Sequence, residues 1–309
     1  MGASTFIDRG ACPLCGEARR LPHIAFPDIP VVRCAGCGFL HSACVLGEEA
    51  LAAYYAEGFG GLRHQLGQSV NATINAAVLP RLLALSPGER VLDVGAGYGY
   101  LLDRLQQRHG VIGVGVEPSH QEAAFARNAL GVQVIAAMLA DAGLDKAGFD
   151  LVASFEVIEH VARPVDFIRE LAAYVKPGGR LLVMTDNFES GVVRSLGAAF
   201  PKWIPHTHIS HFGPETLARA LRAAGGLEIE TSMSYTPWEF LARDGLRRLR
   251  DQTVTPEQAF DLKRALASEM GGRYRLYGLR KLLNAAWASA TIGPAMDGAV
   301  MYFVCRKPG

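Results

Sequence analysis

The stretch Val91-Leu-Asp-Val-Gly-Ala-Gly-Tyr-Gly99 most constrains what this chain can fold into. Arg90–Val94 reads as a short buried strand. Gly99–His109 reads as a helix with Leu101, Leu102 and Leu105 on one side. Three glycines lie in the turn between them. Glycine permits positive φ and lets a ligand approach the backbone closely. The helix that follows offers free N–H groups and the positive end of its dipole. Taken alone, such a strand–glycine–helix unit serves a dinucleotide or is simply a tight turn.

The rest of the chain repeats that rhythm. Apolar runs at Val111–Val116, Val132–Ala136, Phe149–Ser154, Arg180–Thr185, Leu227–Ser232 and Ala299–Arg306 predict six more strands. Helical patterns fall at 68–85, Ser119–Ala129, Pro164–Val175 and Pro214–Ala224, and a further helix is expected at 47–56. Alternation of this kind predicts an α/β fold: a seven-stranded, Rossmann-like, mostly parallel sheet with helices on both faces. Residues 238–290, rich in Leu, Ala and Arg, predict a helical insertion before the last strand. The expected division is a small N-terminal module over 1–45, a helical cap over 46–87, the core over 88–237, the insertion over 238–292 and the final strand within 293–309.

Half of the 309 residues are hydrophobic, so a sizeable core can be buried. A net charge of +1 calls for neither a nucleic-acid nor a membrane partner through long-range electrostatics, although a local basic face is compatible with it. No run of 18 apolar residues is present, so no membrane span is expected. Met1–Arg9 lacks an apolar signal core, and the expected location is cytoplasmic.

A second feature narrows the glycine loop. Glu117 ends the strand after the loop, 24 residues beyond Asp93, where a carboxylate accepts both hydroxyls of a ribose. The loop is G-x-G-x-G with an acid two positions before its first glycine, whereas a nicotinamide-binding turn more often reads G-x-G-x-x-G. Asp93-Val-Gly-Ala-Gly-Tyr-Gly99 resembles motif I of class I methyltransferases. So do Glu117, Phe149-Asp-Leu-Val and Val175-Lys-Pro-Gly-Gly, in order and spacing, over about residues 88–235. The resemblance implies S-adenosylmethionine as cofactor, with Asp93 at its methionyl end, Gly95, Gly97 and Gly99 against it, and Glu117 on its ribose. Phe155 is a further expected contact. Many relatives carry an acid after the third strand for the adenine amine. Here that stretch is Ala136-Ala-Met138, so Met138 packs on adenine or belongs to the core, and Asp141 is the other candidate.

Cys12-Pro-Leu-Cys15-Gly and Cys34-Ala-Gly-Cys37-Gly are two CxxCG pairs separated by 18 residues. Four thiolates at this spacing close a tetrahedral zinc site, and with no open coordination position the zinc is structural. An N-terminal zinc ribbon before such a core resembles a group that includes sugar C-methyltransferases and natural-product tailoring enzymes. Cys44 and Cys305 read as ordinary thiols.

Methyl transfer from a sulfonium requires alignment and often a base. Two clusters follow strand ends. Glu156, Glu159 and His160 would share one face of a helical turn. His206-Thr-His208-Ile-Ser-His211 offers loop histidines, with His208 or His211 as candidate base. Either group could instead support the loop. A divalent metal on Glu156, Glu159 and His160 with a downstream histidine is the other reading, similar to small-RNA 2′-O-methyltransferases and some ubiquinone-pathway O-methyltransferases. Tyr54 and Tyr55 are candidate acceptor contacts. Arg243, Arg247, Arg248, Arg250, Arg264, Arg273, Arg275 and Arg280 could bind a phosphorylated acceptor or form a solvated face.

The expected activity is methyl transfer to a small molecule: a sugar, nucleotide sugar or natural-product intermediate. Two alternatives remain at this level: an RNA methyltransferase that uses the ribbon on its substrate, and a non-catalytic methyltransferase-like scaffold.

Overall fold

The computed structural model describes residues 6–47, 50, 61–250, 254–261 and 277–309. Most of the helix expected over 47–56 lies outside them, as do Tyr54, Tyr55, Arg264, Arg273 and Arg275.

The core strands are β6 (Arg90–Val94), β7 (Ile112–Val116), β8 (Val134–Ile135), β9 (Phe149–Phe155), β10 (Val175–Asp186), β12 (Glu228–Tyr235) and β13 (Val300–Arg306). They form one seven-stranded sheet in the order β12-β13-β10-β9-β6-β7-β8. Neighbours from β10 to β8 are parallel, and β13 runs antiparallel between β10 and β12. The mostly parallel sheet is the one that the alternating pattern predicts.

Each strand alternates its side chains between two apolar layers. Leu92, Val152, Leu181, Val183 and Phe303 face one layer, with α4 (Pro164–Tyr174) and α6 (Pro214–Ala224). Val91, Leu151, Leu182, Tyr302 and Val304 face the other, with α1 (Leu62–Leu82) and α2 (Tyr100–His109). Period-two burial on both faces explains why these strands read as continuous apolar runs. Helix α1 begins six residues before the sequence pattern suggests. Its first turns are held by tertiary contacts, such as Gln65 Nε2 donating to Tyr100 Oη at 3.0 Å, rather than by an apolar stripe. After β7, Ser119 Oγ accepts from Glu122 N–H and starts α3 (His120–Phe125), which runs into a π-helical turn at Ala126–Leu130.

The N-terminal module is built from β2 (Arg20–Ile24), β3 (Val31–Cys34) and β4 (Leu40–Ser42), while β1 (Phe6–Asp8) pairs with β5 (Cys44–Leu46). Its sheet has a fourth member from far along the chain. Strand β11 (Ser210–His211) pairs antiparallel with His41 and Leu40. Arg9 reinforces the junction, donating to the carbonyls of Ile209 and Ala162 and to Ser210 Oγ. A third apolar cluster seals it, with Phe26, Val31 and Leu40 against Phe188, Phe200 and Trp203. The last part comprises α5 (Gly191–Leu196), α7 (Trp238–Leu249) and α8 (Tyr277–Thr291). No helix of the described residues is long and apolar enough to cross a membrane.

Candidate active site

Strand order reverses between β6 and β9, which opens a crevice at the carboxyl ends of the two strands. The glycine loop leaves β6 there, and Glu156 leaves β9 beside it. A side chain on Gly95, at φ +82°, would collide with Val157; one on Gly97, at φ +53°, would collide with Gln68. The loop is thus held between the β9 exit and α1.

Glu117 and Asp93 line the loop from below. Glu117 accepts from Gly97 N–H at 3.0 Å and from Ser119 N–H at 2.8 Å. Burial pushes its carboxyl up to about 7. Asp93 is buried, and burial, together with the charge of Glu117, pushes it up to about 7. Gln68 closes the loop from α1: its Oε1 accepts from Tyr98 N–H at 3.0 Å and its Nε2 donates to Glu122 at 2.9 Å. Sequence reasoning passed over Gln68, which carries no motif and is placed only by helix packing. Phe155 is half-buried at the end of β9. Met138 is 52% exposed, so it belongs to the surface after β8 and not to the core.

The acidic cluster assembles differently from the expected helical face. The turn covers only Ile158–His160, while Glu156 precedes it in the left-handed region at φ +53°. Carboxylate oxygens of Glu156, Glu159 and Asp186 nevertheless lie within 4.8 Å of one another, and so do donor atoms of Glu159, His160 and His208. Lys202, unmarked by any motif, completes the group. Its Nζ donates to Glu156 Oε1 at 2.7 Å and lies 3.7 Å from Asp186 Oδ2. Asn71 Nδ2 donates to the other Glu156 oxygen at 2.6 Å. The Lys202 charge keeps Glu156 below its ordinary range against burial. Asp186 rises to about 6 through burial. Glu159 rises to about 8 through burial and the nearby Asp186 and Glu156 charges; its Oε2 accepts from Thr185 Oγ1 at 2.9 Å.

The histidines divide. His160 Nδ1 lies 2.9 Å from the Thr207 carbonyl, so that nitrogen carries the proton. Burial pushes His160 down to about 4. The His208 ring stands edge-on to it at 4.7 Å, and burial holds His208 well below the usual imidazole range. His211 is fully buried between Phe188 and Trp203, at 4.6 and 4.9 Å between ring centres. His206 turns towards Asp28 at 2.5 Å.

In the N-terminal module the four cysteines converge. Cys12 and Cys37 sulfurs are 3.6 Å apart, Cys15 and Cys34 sulfurs 3.5 Å, and all four lie within 4.8 Å of one another. Zn–S bonds of about 2.3 Å in a tetrahedron imply sulfur separations of about 3.8 Å, so the donor set fits zinc. The insertion arginines are spent differently: Arg247 and Arg248 pair with Asp244, and Arg280 with Glu239.

A family model described as a methyltransferase domain matches residues 63–231, more than half of the chain and short of both cysteine pairs. The ubiquinone biosynthesis O-methyltransferase of Rhizobium johnstonii is 36% identical over 163 residues, 48% of this chain and 65% of that enzyme. The chain therefore spans just under two thirds of that relative's length. The Chelativorans enzyme of the same name is 34% identical over 193 residues, 57% of this chain and 72% of the relative. Among solved structures, phosphoethanolamine N-methyltransferase 2 of Haemonchus contortus aligns with a TM-score of 0.54 at 16% identity, over 95% of this chain and 72% of the other. A SAM-dependent methyltransferase of Thermotoga maritima gives 0.51 at 20% identity, over 79% and 94%. These two likenesses concern the fold. With the matched family region spanning the glycine loop, Glu117 and the acidic cluster, the chain belongs to the methyltransferase domain family and carries a class I S-adenosylmethionine-dependent methyltransferase domain.

Proposed function

We propose that the chain methylates a hydroxyl of a small-molecule acceptor held at the cluster of Glu156, Glu159, Asp186, Lys202 and His208. The observation that carries this reading is position: the cluster lies at the exits of β9 and β10, next to the glycine loop, where an acceptor meets a bound cofactor. The names of the O-methyltransferase relatives support oxygen as the methylated atom and a small molecule as acceptor.

In this reading Asp93 takes the methionyl ammonium and Gly95, Gly97 and Gly99 let the cofactor lie on the backbone. Glu117 turns an oxygen to the ribose hydroxyls, Phe155 flanks the cofactor and exposed Met138 covers adenine. Bound S-adenosylmethionine supplies an electrophilic methyl group. His208 is neutral at pH 7 and its buried Nδ1 has no hydrogen-bond partner among the described residues, so it can accept the acceptor's proton, although burial holds its basicity down. Glu159, pushed up to about 8, is mostly uncharged at pH 7 and stabilises an imidazolium by charge only as the pH rises past that value. His211, enclosed by aromatic rings, supports the loop. The alternative of a divalent ion on Glu156, Glu159 and His160 with His208 is disfavoured at Glu156, whose carboxylate is already paired with the Lys202 ammonium. The four cysteines hold a structural zinc, and the expected location is cytoplasmic.

The test is transfer of labelled methyl from S-adenosylmethionine to a panel of catechols, phenols and nucleotide sugars. Labelled ether product, lost in His208→Ala while S-adenosylhomocysteine binding is kept, is expected. Product with methyl on carbon or nitrogen would overturn the hydroxyl reading. An unchanged rate in His208→Ala would remove the histidine base.

A further inference from the structure

Helices α7 and α8 each carry one apolar stripe, and both stripes face outward. In α7 the stripe is Trp238, Leu241, Leu246 and Leu249, with Leu249 85% exposed. The buried position of that helix is Asp244, only 8% exposed, held by Ser195 Oγ at 2.6 Å and Arg248 at 2.8 Å. In α8 the stripe is Leu279, Leu282, Leu283 and Trp287, with Leu282 66% exposed, while Asn284, Ala285 and Ala288 face the protein. An amphipathic helix in a globular fold ordinarily buries its apolar stripe. Here mostly polar and small side chains point inward, joined in α7 by Phe240, which packs on Phe200 at 5.2 Å between ring centres.

The two stripes belong to one surface. Arg280 Nε donates to Glu239 Oε1 at 2.9 Å, and Asn284 Nδ2 donates to the same oxygen at 3.2 Å. Trp287 Nε1 donates to the carbonyl of Thr236, just ahead of α7, at 2.9 Å. Among the described residues, eight of the fifteen exposed large apolar side chains lie on these two helices. That concentration marks an interaction surface rather than ordinary scatter.

Charge selects the partner. Helix α7 has three arginines against two acids, and α8 has Arg280 and Lys281 against none. The pair of helices is thus net +3, while the whole chain is only +1. A second copy on a two-fold axis would bring two cationic faces together. An anionic bilayer surface satisfies both components. Leucines enter the acyl boundary, the tryptophans sit at headgroup level, and exposed Arg243, outside the ion pairs to Asp244 and Glu239, reaches the phosphates along its apolar stem.

We propose that the α7–α8 face docks flat on an anionic phospholipid surface as a peripheral attachment.

The full chain is sedimented with vesicles of phosphatidylcholine alone and of phosphatidylcholine with phosphatidylglycerol. Binding to the anionic vesicles, weakened by salt and by Arg243→Glu, is expected. The pair Leu249→Glu and Leu282→Glu should weaken it by at least about tenfold with unchanged S-adenosylhomocysteine affinity. If that pair fails to fold, Arg243→Glu, which leaves the stripes intact, decides by itself. Absence of sedimentation with anionic vesicles overturns the proposal, and so does binding indifferent to these substitutions. A concentration-dependent dimer that the leucine pair disperses assigns the face to a second copy instead.

Discussion

Cofactor affinity should depend on pH through Asp93. Its carboxyl sits at about 7 because burial disfavours the charged form and Glu117 lies close by. The methionyl ammonium of S-adenosylhomocysteine favours the carboxylate, so binding must remove the proton that the free protein carries below pH 7. The sign follows: affinity rises with pH through about 7 and levels off above about 8. For one group at about 7, fully ionised when bound, affinity at pH 6 is about fivefold lower than at pH 7 and about tenfold lower than at pH 8. Glu117, also at about 7, acts in the same direction when it accepts ribose hydroxyls, and participation of both deepens the fall to about thirtyfold between pH 7 and 6. Calorimetry in buffers of different ionisation enthalpy measures both the affinity and the protons released. Asp93→Asn, whose amide does not titrate, should bind more weakly and lose most of the slope. A pH-independent affinity between 6 and 8, or net proton uptake at pH 7, would refute the reasoning.

Three other outcomes follow from the same geometry. Gly97→Ala forces a side chain at φ +53° into Gln68, so S-adenosylhomocysteine binding should collapse and the midpoint of thermal unfolding should fall with a cost of about 1–3 kcal/mol. Lys202→Met leaves Glu156 and Asp186 without their shared cation; stability should drop by about 2–3 kcal/mol, and methyl transfer should fall while cofactor affinity, measured by calorimetry, is retained. Elemental analysis should find one zinc per chain, lost in Cys34→Ser. Stripping it with a chelator should raise hydrogen exchange at Ser210 and His211, because β11 pairs with the strand next to the cysteine-bearing β3.

The chain's local patterns were enough to determine the sheet and the cofactor loop. Asp93, the three glycines and Glu117 lie within one βαβ unit, where period-two and helical apolar patterns report the packing directly. The cysteine pairs were legible for the same reason, since each knuckle is four residues long. Tertiary structure alone decided the acceptor side. Lys202, Asp186 and Glu156 come from three separate segments, brought together only by the parallel order of β9 and β10 and the loop beyond them. His208 and His211, three residues apart, were indistinguishable until β11 joined the N-terminal sheet and enclosed one of them in aromatic rings. The apolar stripes of α7 and α8 were present in the sequence as periodicity. Periodicity gives the width of a stripe but not its direction, because which face is buried depends on what the rest of the chain packs against it. Here the fold buries Asp244 and Asn284 and leaves the leucines outside.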